Sequence, residues 1–277
     1  MTHTRTQLAA LLERHDLGPS RALGQNFVVD PNTVRRIARL ARVGPDTPVV
    51  EIGAGLGSLT LALAETGASV TAVEIDRHLR PILEEVVAGL DVRVVAGDAM
   101  RLDWDDLLAG HDRWVLVANL PYNVATPLVL DLLAGVPAIE RMLVMVQREA
   151  GERLAAGPGS GVYGIPSVKV ALRATAKIIG KVGPDVFLPR PRVDSALVEI
   201  VRRAEPATDA DIDLLTSLVE QGFNQRRKML RRSLAGRVSP EAFAAAGVDP
   251  EDRPERLSVQ DWGRLAHAVA DLPSPDA

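Results

Sequence analysis

"VVEIGAGLGSLT", Val49 to Thr60, decides how the chain folds. A short apolar run ends at Ile52, glycines follow at 53, 55 and 57, and an apolar helical pattern opens at Ser58. A strand that turns on glycine into a helix is the first half of a βαβ unit. The pattern repeats downstream. "ASVTAVEI", "DVRVVAG", "RWVLVAN" and "IERMLVMVQ" read as further strands, and the segments around 77–89 and 126–135 read as helices between them. Strict alternation predicts right-handed crossovers and a parallel sheet covered on both faces. A helix near 164–175 and strands near 176–182 and 195–203 would complete a mainly parallel sheet of seven strands. Two helices, about 4–15 and 31–42, precede the core. Beyond "EPATDA" the reading is all helical: 209–222, 226–235, 239–246 and 258–271. This predicts a first domain over 1–204, with an N-terminal helical extension, and a small helical domain over 205–277.

The glycines read G-x-G-x-G, not the G-x-G-x-x-G of a dinucleotide site. Gly53 and Gly55 permit a tight turn and close approach to a ligand, while the helix start is not set for a pyrophosphate. Glu74 ends the second strand, where a carboxylate can accept from both ribose hydroxyls, and Asp98 follows the third, in reach of an adenine amine. The three polar strand ends point to an adenosine-bearing cofactor with no bridging pyrophosphate, a description that S-adenosylmethionine fits. A glycine turn alone would be no more than a tight loop; its partners on successive strands make it a site.

"NLPY", Asn119 to Tyr122, ends the fourth strand on the same edge, so it should face the methyl donor. The N6 amine of adenine is a poor nucleophile because its lone pair is delocalised into the ring. An amide oxygen from Asn119 and a backbone carbonyl from Leu120 or its neighbour can each accept one N6 hydrogen and favour the more tetrahedral nitrogen. Pro121 fixes the local backbone, and Tyr122 offers a flat face for a base. No general base is demanded, because the leaving group is a neutral thioether and the methylated ammonium is acidic enough to lose its proton to water or to the surroundings of Asn119.

The whole chain of 277 residues carries a net charge of −4, but its basic residues gather near both ends. Residues 1–42 hold seven arginines against three acidic residues, and 221–237 hold six cations and no acid. This is the footprint expected for a polyanion. The chain has no cysteine, which excludes disulfides and thiolate metal sites, and its five histidines are scattered. No metal site, secretory signal or membrane span is expected; the absence of cysteine suits a reducing cytoplasm, and a monomer is expected because no surplus amphipathic helix demands a partner.

At this point the residues resemble a known family, the ribosomal RNA adenine N6-dimethyltransferases, from about Gly18 to Leu265. The motifs that carry the likeness occur in order: "LGQNFVVD", "VVEIGAGLGSLT", "VTAVEID", "GDAM", "NLPYNVATPLV", "MVQREAGERL", "YGIPSV", "VFLPRPRVDSALV" and "FNQRRKMLRRSL". The resemblance implies a Rossmann-like class I methyltransferase that uses S-adenosylmethionine, leaves S-adenosylhomocysteine and dimethylates two adjacent adenosines near the 3′ end of 16S rRNA, with a role in small-subunit biogenesis. It further implies that Gln25, Asn26 and Phe27 close over the methionine part of the cofactor. Glu51, Gly53, Gly55 and Gly57 would approach that part, Glu74 and Ile75 the ribose, and Asp98 with Ala99 the adenine, beside Asn119. The target base would lie over Asn119, Leu120, Pro121 and Tyr122, with Phe187 on its other face. Arg226, Arg227, Lys228, Arg231 and Arg232 would hold RNA phosphates. One departure is Ile165-Pro166, where many relatives carry a basic residue and a leucine, which puts one RNA contact in question. The rival readings are a large-subunit rRNA methyltransferase of the antibiotic-resistance type and a non-catalytic RNA-binding assembly factor; the "FNQRRKMLRRSL" tail favours the small-subunit enzyme.

Overall fold

The computed structural model describes residues 2–20 and 22–272; Arg21, one of the N-terminal arginines, lies outside the described residues. The strands are β1 (Phe27–Val28), β2 (Pro48–Ile52), β3 (Ser69–Glu74), β4 (Val92–Ala96), β5 (Trp114–Asn119), β6 (Ile139–Gln147), β7 (Ala174–Val182), β8 (Phe187–Leu188) and β9 (Ser195–Arg202). Seven of them form one sheet in the order β4-β3-β2-β5-β6-β9-β7. The pairs from β4 to β6 are parallel, and β9 runs antiparallel to β6. Val49, Val50, Leu116 and Val117 are fully buried, as expected for central strands covered on both faces.

Helices α1 (Arg5–Arg14) and α2 (Pro31–Ala41) precede the sheet, and α3 (Ser58–Ala64), α4 (Arg80–Val86), α5 (Trp104–Leu107), α6 (Ala125–Gly135) and α7 (Arg148–Leu154) follow successive strands. Local chemistry sets their starts. Thr4 closes a capping box with Gln7, and Asp30 accepts from the Thr33 amide at 2.9 Å with Pro31 in the first turn of α2. The parallel register puts the strand ends on one edge. Ile52 lies beside Val73 and Ala118, Glu74 beside Ala96, and Asn119 beside Met145. Ligands of open α/β sheets bind outside this carboxyl edge, where the strand order reverses between β2 and β5.

The chain divides into two compact units, residues 1–151 with 177–202, and residues 152–176 with 203–277. The sequence reading ended the first domain at 204 and kept 152–176 within it. The segment joins the second unit because Tyr163, Val168 and Leu172 belong to that unit's core, with Leu218, Phe243 and Trp262. The Tyr163 hydroxyl donates to the Leu257 carbonyl at 3.0 Å. The second unit contains α8 (Ile165–Arg173), α9 (Ile212–Asn224), α10 (Leu230–Ser233), α11 (Pro240–Ala246) and α12 (Val259–Asp271).

Two local expectations change. The predicted helix over 226–235 shrinks to α10, because the amides of Leu230 and Arg231 donate to the carbonyls of Asp252 and Pro250 and fix the preceding residues as a turn. "LGQNFVVD", read as a loop, contributes β1, which pairs antiparallel with β8. Among the described residues, no helix is long and apolar enough to cross a membrane.

Candidate active site

Two adjoining cavities open at the carboxyl edge of the sheet. One is lined by Leu23 to Phe27, Gly53, Gly55, Glu74, Ile75 and Asn119 to Tyr122. The other, of about 200 Å³, shares Gly53, Ile75 and Pro121 with the first and adds Asp98, Ala99 and Met100. A smaller cavity beneath them reaches Glu51 and Asn119.

The glycine loop is built by backbone conformation. Gly53 and Gly55 have φ of 73° and 59°, the left-handed region that disfavours side chains. A Cβ on Gly55 would meet the Phe27 ring at 3.0 Å. Gly57 also has positive φ, but it caps α3 and packs on Leu83 and Val86 of α4; it lines none of these cavities. Its part in this structure is helix packing.

Glu74 is 4% exposed and accepts the Gly55 amide at 2.7 Å and the Asp76 amide at 2.8 Å. Burial raises its pKa, and those two backbone donors oppose the shift. Asp76, which the sequence reading passed over, ties the site together. Its carboxylate accepts from Gln25 Nε2 at 2.8 Å, and the Gln25 Oε1 accepts the Ser20 amide at 2.7 Å. A Gln and an Asp separated by fifty residues gave no sequence signal for this bond.

Asn119 Nδ2 donates to the Asn26 carbonyl at 2.9 Å, and no hydrogen bond among the described residues occupies its Oδ1. The Pro121 carbonyl is used, accepting from Val124 and Ala125 at the start of α6, whereas no backbone amide among the described residues donates to the Leu120 carbonyl. Of the two candidate carbonyls, Leu120 keeps the free acceptor. Tyr122 is half-buried, and its hydroxyl lies 3.0 Å from Ser195 Oγ at the start of β9. Burial raises the Tyr122 pKa against that hydrogen bond. Ser195 is fully buried, and nothing in the motif "VFLPRPRVDSALV" marks it as a partner of Tyr122. We expect Ser195→Ala to lower kcat about fivefold, the value of one hydrogen bond, with cofactor KM unchanged. Steady-state kinetics with Tyr122→Phe and the double variant check this: the pair should lose no more than either single change.

Phe187 lies apart from these residues. It is 1% exposed and packs with Val28, Val34, Ile37 and Val182 in the core under α2, and it lines none of the cavities. The β1–β8 pairing sets Val28 opposite Phe187, and Arg5 of α1 holds the Phe187 carbonyl at 3.2 Å. In this structure the ring is packed in the core and does not face the cavities.

Glu51 is the most perturbed group. It is 1% exposed, its Oε2 finds no hydrogen-bond partner, and burial with the neighbouring Glu74 carboxylate pushes its pKa up to about 8 from 4.5. The folded protein then retains a proton that the unfolded chain has already lost, so stability declines as pH rises from about 4.5 to about 8. Glu51→Gln should match the wild type near pH 5 and be more stable at pH 9 by about 2–4 kcal/mol. Melting curves across that range test this; parallel curves would contradict it. The same group tests the cofactor. A carboxylate penalised by burial beside a glycine cradle fits a ligand that brings positive charge, as the methionine ammonium and sulfonium of S-adenosylmethionine do. Glu51, Gly53 and Gly55 would hold that end, Glu74 the ribose, and Asp98 with Ala99 the adenine.

The fold and the edge site define a class I S-adenosylmethionine-dependent methyltransferase. Its crystal-structure likenesses include the 23S rRNA methyltransferase ErmE, with a TM-score of 0.67 and 28% identity over 88% of this chain and 99% of that one. A dimethyladenosine transferase from Plasmodium falciparum shares the fold, with a TM-score of 0.69 at 22% identity over 85% of this chain and 94% of that one. Residues 20–271 match the family described as ribosomal RNA adenine dimethylase, and the chain belongs to that family. It is therefore a methyltransferase that dimethylates adenine in ribosomal RNA. Among its relatives, the Ribosomal RNA small subunit methyltransferase A of Kineococcus radiotolerans is 50% identical, over 92% of this chain and 88% of that protein. The protein of the same name from Streptomyces coelicolor is 49% identical, over 94% and 93%.

Proposed function

We propose that the protein dimethylates N6 of two adjacent adenosines in the 3′-terminal hairpin of 16S rRNA, within a small ribosomal subunit or its precursor, and that it acts in the biogenesis of that subunit. The observation that carries the chemistry is the fixed amide of Asn119. Its Nδ2 is committed to the Asn26 carbonyl, which leaves Oδ1 as an acceptor at the sheet edge. The choice of substrate is supported by relatives near 50% identity that carry the small-subunit name.

S-adenosylmethionine, when bound, supplies an electrophilic methyl group on a sulfonium. The protein's own residues do the rest. Asn119 Oδ1 and the Leu120 carbonyl accept the two N6 hydrogens and favour a more tetrahedral nitrogen whose lone pair is less delocalised into the ring. Tyr122, anchored on Ser195, gives the base a stacking surface worth about 1–3 kcal/mol. A target adenine must leave its stack to reach this edge, as in other enzymes that modify bases.

The second unit is the proposed RNA-binding domain. Its basic turn divides by partner: Arg226 binds Glu255 at 3.2 Å and the Gly161 carbonyl at 2.8 Å, and Arg231 lies 3.4 Å from Glu251. Arg227, Lys228 and Arg232 are exposed with no ion pair among the described residues, and they are the proposed phosphate contacts. Arg226 instead braces the segment around Gly161.

Methyl transfer from labelled cofactor to unmodified small and large subunits tests the substrate. Label should enter the small subunit. Label confined to the large subunit would transfer the protein to the resistance-type reading, and none in either would favour a binding factor.

A further inference from the structure

The six basic residues Arg36, Arg39, Arg42, Arg141, Lys177 and Lys181 belong to one face of the first unit, remote in sequence from the basic turn at 226–232. They are tied to one another physically. Arg36 lies flat on the edge strand β7, its Nη1 donating to the Lys181 carbonyl at 3.0 Å. Gly180 makes that possible, because a Cβ there would stand 2.7 Å from Arg36 Nη2. Arg42, at the C-terminus of α2, and Lys177 both bind Glu199, which is 4% exposed; the Lys177 contact is 3.0 Å. Arg141 Nη2 donates to the Arg42 carbonyl at 3.4 Å, and its Nη1 is buried with no partner. Arg39 sits between Arg36 and Arg42 on α2 and is exposed.

Cations gathered around one carboxylate are costly unless an anion meets them, and the chain as a whole is acidic, so this local excess runs against the composition. The face has the shape of two rows. Along α2 the arginines recur every three residues, about 4.5 Å apart, and Lys177 and Lys181 span about 13 Å of β7. A span of that length meets several consecutive phosphates of one strand. Nothing in the face is suited to read a base: its donors are guanidinium and ammonium groups on a helix and a sheet edge, without an exposed aromatic ring among them.

We propose that the face formed by α2 and β7 is a second RNA-docking surface, which binds the phosphate backbone of a duplex stem of the ribosomal RNA substrate. An A-form stem is recognised through backbone and shape, which a row of this kind supplies. The surface orients the RNA and makes no contact with the reacting base. This proposal rests on the reading that the substrate is folded ribosomal RNA.

The test compares wild type with the double variant Arg39→Gln, Lys181→Gln, whose side chains make no hydrogen bond or ion pair among the described residues. Binding to unmodified small subunits is measured between 50 and 300 mM salt. The variant should bind about tenfold or more weakly at 0.1 M, with a log–log salt slope shallower by about 2, near 0.9 for each lost contact. Its melting temperature and cofactor affinity should be unchanged, and Arg39→Lys with Lys181→Arg should keep wild-type binding. An unchanged slope and affinity in the glutamine variant would overturn the proposal. Should the wild type bind and methylate only large subunits, the substrate reading falls, and the same slope comparison on that RNA still decides the surface.

Discussion

Asn119→Ala is expected to lower kcat by about 10²–10³ while leaving S-adenosylmethionine affinity within a few fold of wild type. The magnitude follows from removal of a fixed acceptor that acts where charge and geometry change during attack, a loss typical of preorganised hydrogen-bonding groups. Retention of most cofactor binding follows from the anchoring of Glu74 and Gln25, which does not involve Asn119; of the cofactor residues only Asn26 loses a bond. Glu74 is set by the Gly55 and Asp76 amides and not by Asn119. Asn119→Asp makes a sharper probe. A carboxylate cannot donate to the Asn26 carbonyl, so the acceptor is kept while its orienting bond is lost. Its kcat should fall nearly as far as that of the alanine variant. Single-turnover methyl transfer with cofactor titration checks both, and wild-type turnover in Asn119→Ala would remove this residue from the chemistry.

Glu74→Ala should raise the dissociation constant for the cofactor by about 100-fold or more. Two ribose hydrogen bonds to a charged acceptor are lost, each worth about 1.5–3 kcal/mol, and the Gly55 and Asp76 amides lose their partner. Glu74→Gln should fall between, since one carbonyl oxygen replaces two acceptors. The raised pKa of Glu74 adds a direction: cofactor affinity should weaken as pH falls through that value, because a protonated carboxyl cannot accept from both hydroxyls. Titration calorimetry at several pH values measures this, and a pH-independent affinity in the wild type would argue against a ribose contact.

The parts of the site on strand ends were legible in the sequence. Gly53, Glu74, Asp98 and Asn119 each follow an apolar run, and a parallel sheet must place such positions on one edge. What depended on packing was not legible. Phe187 reads as a site aromatic in its motif, yet β1 covers it, and β1 is only two residues long. Gly57 reads as part of the cradle, but the facing helix α4 claims it. Ser195 and Asp76 are ordinary polar residues whose importance comes from partners 73 and 51 positions away. Arg226 looks like its basic neighbours until Glu255 is placed beside it. Periodicity and strand ends report on local order, whereas these assignments needed contacts distant in the chain.

The same distinction separates the two groups of cations in the first and second units. In both groups the exposed cations are the proposed RNA contacts, and bonds to carboxylates or carbonyls shape the surface that presents them. Charge counts in the sequence cannot make that division.

The most direct test of the whole account is nucleoside mass analysis of ribosomal RNA after reaction with saturating S-adenosylmethionine. N6,N6-dimethyladenosine is expected at two adjacent positions of the small-subunit RNA and is expected to be lost with Asn119→Ala. Methyl groups on a ribose or on another base, or a reaction that ends at N6-monomethyladenosine, would contradict that expectation.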